Sequence, residues 1–231
     1  MVGIPGAHLV PMSASPTPDR DRQPTTAPLG WQPGAGQDVV AGALVVAMPL
    51  LVDPNFDHTV IFLLEHGPDG TVGVVLNRPS EVTLEHVLPT WAPLATGSQF
   101  FHLGGPCQTD AALCLVRGQL LDARLGIEGG RAQLASVGLK PAAAGIYLAD
   151  LDAEPDSAAH LIGDIRVYAG YAGWSSGQLD AEVAEGAWLC LPARTEDVFS
   201  TEPQTLWRSV LHRQRGPLAV LRSTPDDPSL N

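Results

Sequence analysis

Five consecutive apolar residues, Val60-Ile61-Phe62-Leu63-Leu64, stand inside the run from His58 to His66, and their lack of alternation constrains the fold more than any other feature. A strand with one wet face alternates apolar and polar residues, whereas a strand apolar at every position is covered on both faces. A second β-rich run, Val72 to Asn77, follows after Gly67-Pro68-Asp69-Gly70-Thr71, whose Pro-Asp-Gly supplies turn dihedrals. The two runs pair as a hairpin inside a layered α/β (α+β) domain, a mixed β-sheet with flanking helices.

Other segments fit that architecture. The apolar stretch from Val39 to Leu51 reads as a buried strand closed by Met48-Pro49. Gln99 to Leu103, Ala111 to Arg117, Gly145 to Ala149 and Ile165 to Ala169 read as further strands, with turns at Gly104-Gly105-Pro106 and around Gly126 to Gly130. Thr83 is placed to cap a short helix carrying Leu84, Val87, Leu88 and Trp91, with Pro93 beyond its end. Ser175 or Ser176 is placed to cap a helix through Leu179, Glu182 and Val183 to Gly186, before a strand from Ala187 to Leu191. A last helix around Thr205 to Arg215 turns Leu206, Trp207 and Val210 inward and stops at Gly216-Pro217.

At 231 residues the chain suits one well-buried domain. Residues 1–37 hold seven prolines and no hydrophobic periodicity, the composition of a disordered leader; residues 38–222 form the domain, and residues 223–231 a disordered tail. A net charge of −12 repels a phosphate backbone, so nucleic acid is a disfavoured partner. Cys107, Cys114 and Cys190 show neither C-x-x-C spacing nor an even count, which fits reduced thiols rather than a disulfide framework or zinc site. No secretory signal and no run of about 18 apolar residues is present, so a cytoplasmic location is expected and membrane association is not.

Several phrases stand in order along the chain: Ala47-Met48-Pro49, Asp53-Pro54-Asn55-Phe56 with Thr59-Val60, Glu65-His66, Asn77-Arg78-Pro79, and Gly104-Gly105-Pro106 with Gln108. Gly170-Tyr171-Ala172-Gly173-Trp174, Gly177-Gln178-Leu179 with Glu182, Trp188 with Pro192, and Leu206-Trp207 follow. In this order and spacing, over about residues 40 to 222, the chain resembles the YqgE/AlgH family of small bacterial cytosolic proteins. The resemblance implies a compact α+β fold of unusual topology, no established biochemical activity, and no catalytic residues, although family members carry the label of transcriptional regulator. The chain departs from the family in Cys107, where Val is usual, and in its Pro-rich leader.

Gly173-Trp174-Ser175-Ser176-Gly177 fits G-x-S-x-G between a strand and a helix, the setting of a nucleophile elbow. A small serine hydrolase would use Ser175; the other reading makes Ser175 or Ser176 a helix cap, and a triad would also need an acid and a histidine, of which only His212 follows. Arg78, beside Asn77 at a strand end, offers a planar fork for a carboxylate or phosphate, or else pairs with an acidic side chain. Gly104 and Gly105 bring backbone N–H groups near a ligand, or only make a turn, and no nucleotide-binding motif accompanies them. Trp174 and Trp207 offer a partner surface or pack in the core, as does Trp188.

Asp53, Asn55 and Asp57 alternate oxygen ligands but are too closely spaced for an EF-hand, and His58, His66, His86 and His102 form no H-x-x-x-H pair, so no metal site and no cofactor is assigned. The basic end of the last helix is the one stretch resembling a DNA-contacting helix, but no helix-turn-helix precedes it. With no complete catalytic constellation, the leading expectation is a non-catalytic regulatory or adaptor module binding a protein or a small anionic ligand. The alternatives are the serine hydrolase at Ser175 and a transcriptional regulator.

Overall fold

The computed structural model describes residues 37–51, 53–119, 137–143, 145–157 and 159–223. The expected leader, apart from Gln37, the turn around Gly126 to Gly130 and the tail beyond Ser223 lie outside the described residues.

The non-alternating run forms β2 (Val60–Gly67), which pairs antiparallel with β3 (Gly70–Val75) around Pro68 and Asp69. Gly70 takes the corner at φ 128, a conformation that glycine adopts without steric cost. Before them comes β1 (Ala43–Ala47), buried at all five positions, and it too is apolar throughout. Successive side chains leave a strand on opposite faces, so Leu44, Val46, Val60, Phe62, Leu64, Val72 and Val74 enter one core while Val45, Ile61, Leu63 and Val75 enter another. Fully burying a side chain such as Phe62 contributes about 1.5–3 kcal/mol, and here both faces of the sheet gain it.

Beyond the hairpin come β4 (Pro79–Thr83), α1 (Leu84–Val87), β5 (Phe100–Leu103), β6 (Cys107–Gly118), β7 (Leu139–Ala143), β8 (Ile146–Ala149) and β9 (Ile162–Trp174). They are followed by α2 (Gln178–Ala184), β10 (Trp188–Pro192), α3 (Thr195–Val198) and α4 (Leu206–His212). The strands form one mixed sheet in the order β10-β1-β2-β3-β9-β6-β8-β7, with β5 branching from β9 and β4 pairing with β5. All described pairings are antiparallel except β5 with β9, where His102 faces Tyr168 and Leu103 faces Ala169. Helix α2 covers one face through Leu179 and Val183, and α4 covers the other through Leu206, Trp207, Val210 and Leu211. A third core under β5, β6 and β9 takes Leu84, Trp91, Phe101, Cys114, Val116, Ile165 and Val167.

Several sequence expectations change. The short helix expected after Thr83, carrying Leu84 to Trp91, is a single turn: Val87 is exposed, Trp91 is buried after the helix has ended, and Thr83 makes no side-chain capping bond. Neither Ser175 nor Ser176 caps α2. Gly177 is its N-cap at φ 69, and Ser175 instead donates its N–H and hydroxyl to Gln178 Oε1, each at 3.0 Å. Strand β9 does not stop at Ala169 but runs on through Gly170, at φ 71, to Trp174, where it leaves β6 and pairs with β3.

Candidate functional site

The candidate site is built where the β1–β2 connection meets the end of β3. Residues Asp53 to Asp57 form a tight turn: Asp53 Oδ1 accepts the Asn55 N–H at 2.7 Å, and the Asp53 carbonyl accepts the N–H of Phe56 at 3.0 Å and of Asp57 at 2.7 Å. Asp57 Oδ1 lies 2.6 Å from His58 Nδ1. Asx-turn bonding therefore accounts for the alternating oxygens, and no group of three or more metal-ligating side chains occurs among the described residues.

Asn77 clamps the turn in place. Its Oδ1 accepts the Val60 N–H at 2.9 Å and its Nδ2 donates to the His58 carbonyl at 2.8 Å, holding His58 at φ 53. An L-residue in the left-handed region carries strain, and Asn77 bonds the backbone at His58 and just beyond it, at Val60. The His58 ring meets the Trp207 ring edge-on at 4.2 Å between centroids, while its buried Nε2 has no hydrogen-bond partner.

Arg78 lies over this turn. Nη1 and Nη2 both reach the Pro54 carbonyl at 3.5 Å and Nη2 reaches the Asp57 carbonyl at 3.3 Å, contacts at or beyond the long end of N–H···O bonding. No carboxylate of a described residue pairs with it. Two other arginines are spent. The buried Arg166 donates to Asp164 Oδ2 at 3.0 Å and to the carbonyls of Ile165, Phe199 and Ser200, while Arg213 grips both carboxylate oxygens of Asp197. Arg78 is half-buried and retains donor capacity.

The other sequence candidates fall elsewhere. The Gly104 N–H donates to the Ala169 carbonyl at 2.8 Å and its carbonyl accepts the Val75 N–H at 2.9 Å, so its main chain belongs to the sheet. Gly105, at φ 150, lies so close to β9 that a Cβ would stand 2.3 Å from the Tyr171 carbonyl carbon. These glycines permit two backbones to touch. Trp174 and Trp207 are 2% and 4% exposed, which rules them out as an exposed partner surface. Trp174 Nε1 donates to Glu182 Oε2 at 3.1 Å, as Trp188 does at 2.8 Å, and Trp207 Nε1 donates to the Ala47 carbonyl at 2.8 Å. Ser175 is exposed, with its hydroxyl engaged by Gln178. In the last helix Trp207, Val210 and Leu211 face the core, and Arg213 is held by Asp197.

Sequence reasoning missed a buried polar row on β5 and β9. Asp164 Oδ1 accepts the N–H groups of Thr96, Gly97 and Ile165. His102 is pushed down from 6.5 to about 4, first by burial and then by the Arg166 charge, and so is neutral near pH 7. Burial raises the Tyr168 hydroxyl; that oxygen and His102 Nδ1 are both buried without a partner, their rings 5.5 Å apart. Signals for this row, a lone His in an apolar strand and Asp-Ile-Arg in another, were visible, but their juxtaposition was not.

Fold and site together define a helix-flanked mixed sheet with a half-buried arginine, unpaired with any carboxylate of a described residue, over the turn between β1 and β2. The AlgH-like family model matches residues 44–219, and the chain belongs to that family. A UPF0301 protein of Streptomyces coelicolor is 45% identical over 194 residues, covering 83% of this chain and 95% of its own. A UPF0301 protein of Mycobacteroides abscessus is 44% identical over 191 residues, covering 83% and 88%. Among solved structures, a Corynebacterium diphtheriae protein superposes with a TM-score of 0.70 at 29% identity, covering 81% of this chain and 93% of the other. The solution structure of AlgH from Pseudomonas aeruginosa gives 0.55 at 28% identity, covering 80% and 94%. No helix among the described residues is long and apolar enough to cross a membrane.

Proposed function

We propose that this protein is a non-catalytic regulatory or adaptor module of the cytoplasm that binds an anionic group, on a small ligand or a protein, at Arg78. The observation that carries the reading is the contrast among arginines: Arg166 and Arg213 are consumed by buried or bidentate ion pairs, whereas Arg78 is half-exposed and meets two backbone carbonyls at 3.3–3.5 Å. A planar guanidinium with spare donors on a preformed turn is suited to anion capture. The clamp by Asn77 limits the ordering that binding would require.

A thermal-shift panel of phosphate, phosphorylated metabolites and carboxylates tests this on the full chain, with Arg78→Ala in parallel. A ligand at about 100 times its Kd stabilises the native state by roughly 2.7 kcal/mol, a rise of a few degrees for a domain of this size. The expected result is a rise that Arg78→Ala abolishes. A rise of equal size in the variant, or none with any anion, overturns the assignment.

A further inference from the structure

The neighbours of Arg78 narrow the anion it takes. Pro79 faces His102 across β4 and β5, and the Leu103 N–H donates to the Arg78 carbonyl at 2.8 Å, extending that ladder by one residue. Residues directly opposite on antiparallel strands send their side chains to the same face, a few ångströms apart. The guanidinium-bearing residue therefore stands beside Leu103, which is 52% exposed although it is a large apolar side chain at a strand end.

Charge around the position is lopsided. The turn under Arg78 carries the carboxylates of Asp53 and Asp57, and its one further base, His58, is already engaged through Nδ1 by Asp57. The whole chain carries −12. A dianionic phosphate at this point has one guanidinium to neutralise it, over a turn that itself carries two carboxylates, whereas a carboxylate brings a single charge and two coplanar oxygens that match the guanidinium fork.

We propose that Arg78 and Leu103 form a subsite for a monoanionic carboxylate that carries an apolar side chain next to the carboxyl group, as a branched-chain acid or the C-terminal residue of a peptide does. The carboxylate lies on the Arg78 fork and the apolar group covers Leu103. This rests on the reading of Arg78 as the anion-binding position.

The test is an amide-resolved NMR titration of the full chain, following residues 76–79 and 103–105, with N-acetyl-leucine, N-acetyl-leucinamide, N-acetylglycine and inorganic phosphate. N-acetyl-leucine is expected to shift these amides saturably and to bind about tenfold or more tightly than N-acetylglycine, the discrimination a small apolar contact supplies. The amide control, lacking the charge, gives no saturable shift. Arg78→Lys, which keeps the charge but loses the fork, weakens N-acetyl-leucine binding, and Leu103→Ser brings it down to the level of N-acetylglycine. A short peptide ending in a free leucine, compared with its amidated form, decides between sources: saturable binding of the free-terminus peptide assigns chain termini, and binding of N-acetyl-leucine alone assigns free acids. Phosphate binding more tightly than N-acetyl-leucine in an Arg78-dependent manner leaves the anion position standing and overturns the carboxylate. Leu103→Ser with unchanged N-acetyl-leucine affinity overturns the apolar half, and no Arg78-dependent binding of any anion overturns both readings.

Discussion

Replacing Asp164 by Ala removes one carboxylate and strands four hydrogen-bond donors. Oδ1 accepts from Thr96, Gly97 and Ile165, and Oδ2 from Arg166 at 3.0 Å, in a position where Arg166 is 1% and Asp164 2% exposed. Removing one member of a buried ion pair costs about 3–5 kcal/mol because the remaining charge has lost its counterion. Urea unfolding monitored by tryptophan fluorescence reads this as a lower midpoint at unchanged slope, and a melting temperature lower by roughly 6–20 °C accompanies it. The double variant Asp164→Ala/Arg166→Met no longer buries an unpaired charge, so its cost is smaller than the sum of the two single costs by about 1–3 kcal/mol. A loss under about 1 kcal/mol in Asp164→Ala, or strict additivity, would falsify the view that this pair ties the loop at 96–97 and the residues Phe199–Ser200 to β9.

Three further outcomes are expected. His102 is depressed from 6.5 to about 4 in the folded chain, so the unfolded state binds the extra proton between those values and stability rises with pH across that window. Relative to His102→Phe, wild type should lose on the order of 3 kcal/mol between pH 7 and pH 4; parallel stability curves for the two proteins count against it. Gly105→Ala forces a Cβ onto the Tyr171 backbone at φ 150 and should cost more than about 3 kcal/mol. By contrast Gly67→Ala, with no neighbouring atom within 4 Å and no positive φ, changes stability by less than about 1 kcal/mol, and similar losses at the two glycines would refute the packing argument. Finally, a fluorophosphonate probe should leave folded protein unlabelled, since the Ser175 hydroxyl bonds Gln178; labelling that disappears in Ser175→Ala would establish a nucleophile.

What could be read from sequence follows the range of the interactions involved. The β2–β3 hairpin was legible because its cause is local: two apolar runs and a Pro-Asp-Gly corner. Strand β4 was not, since Pro-Ser-Glu-Val-Thr shows no apolar pattern and is extended through pairing with β5, about 20 residues away. Pro141 hid β7 in the same way, because proline argues against a strand unless the strand is at an edge, where β7 lies. The single-turn helix α3 had no periodicity to show. At the site, Asn77 and Arg78 stood out as residue types, but Asn77 bonds the His58 carbonyl 19 residues away and Arg78 reaches Pro54 across 24. Nor does sequence disclose that His58 has positive φ, a conformation that tertiary bonding imposes.

The sheet order has a consequence for the protein's birth. Strand β1 lies between β2 and β10, and β3 finds its outer neighbour in β9, so the first strands made wait for nearly the last. Translation proceeds at about 5–20 residues per second, so roughly 145 residues and some 7–30 seconds separate the emergence of β1 from that of its partner β10. Throughout that interval the nascent chain presents Ala43–Ala47 with one edge unpaired, and for most of it without the helices α2 and α4 that cover its two faces, a sticky ribbon on the ribosome. Truncation before Trp188 should therefore yield an aggregating fragment rather than a smaller folded unit, and the rate at which cells complete this chain sets how long holding chaperones must shield it.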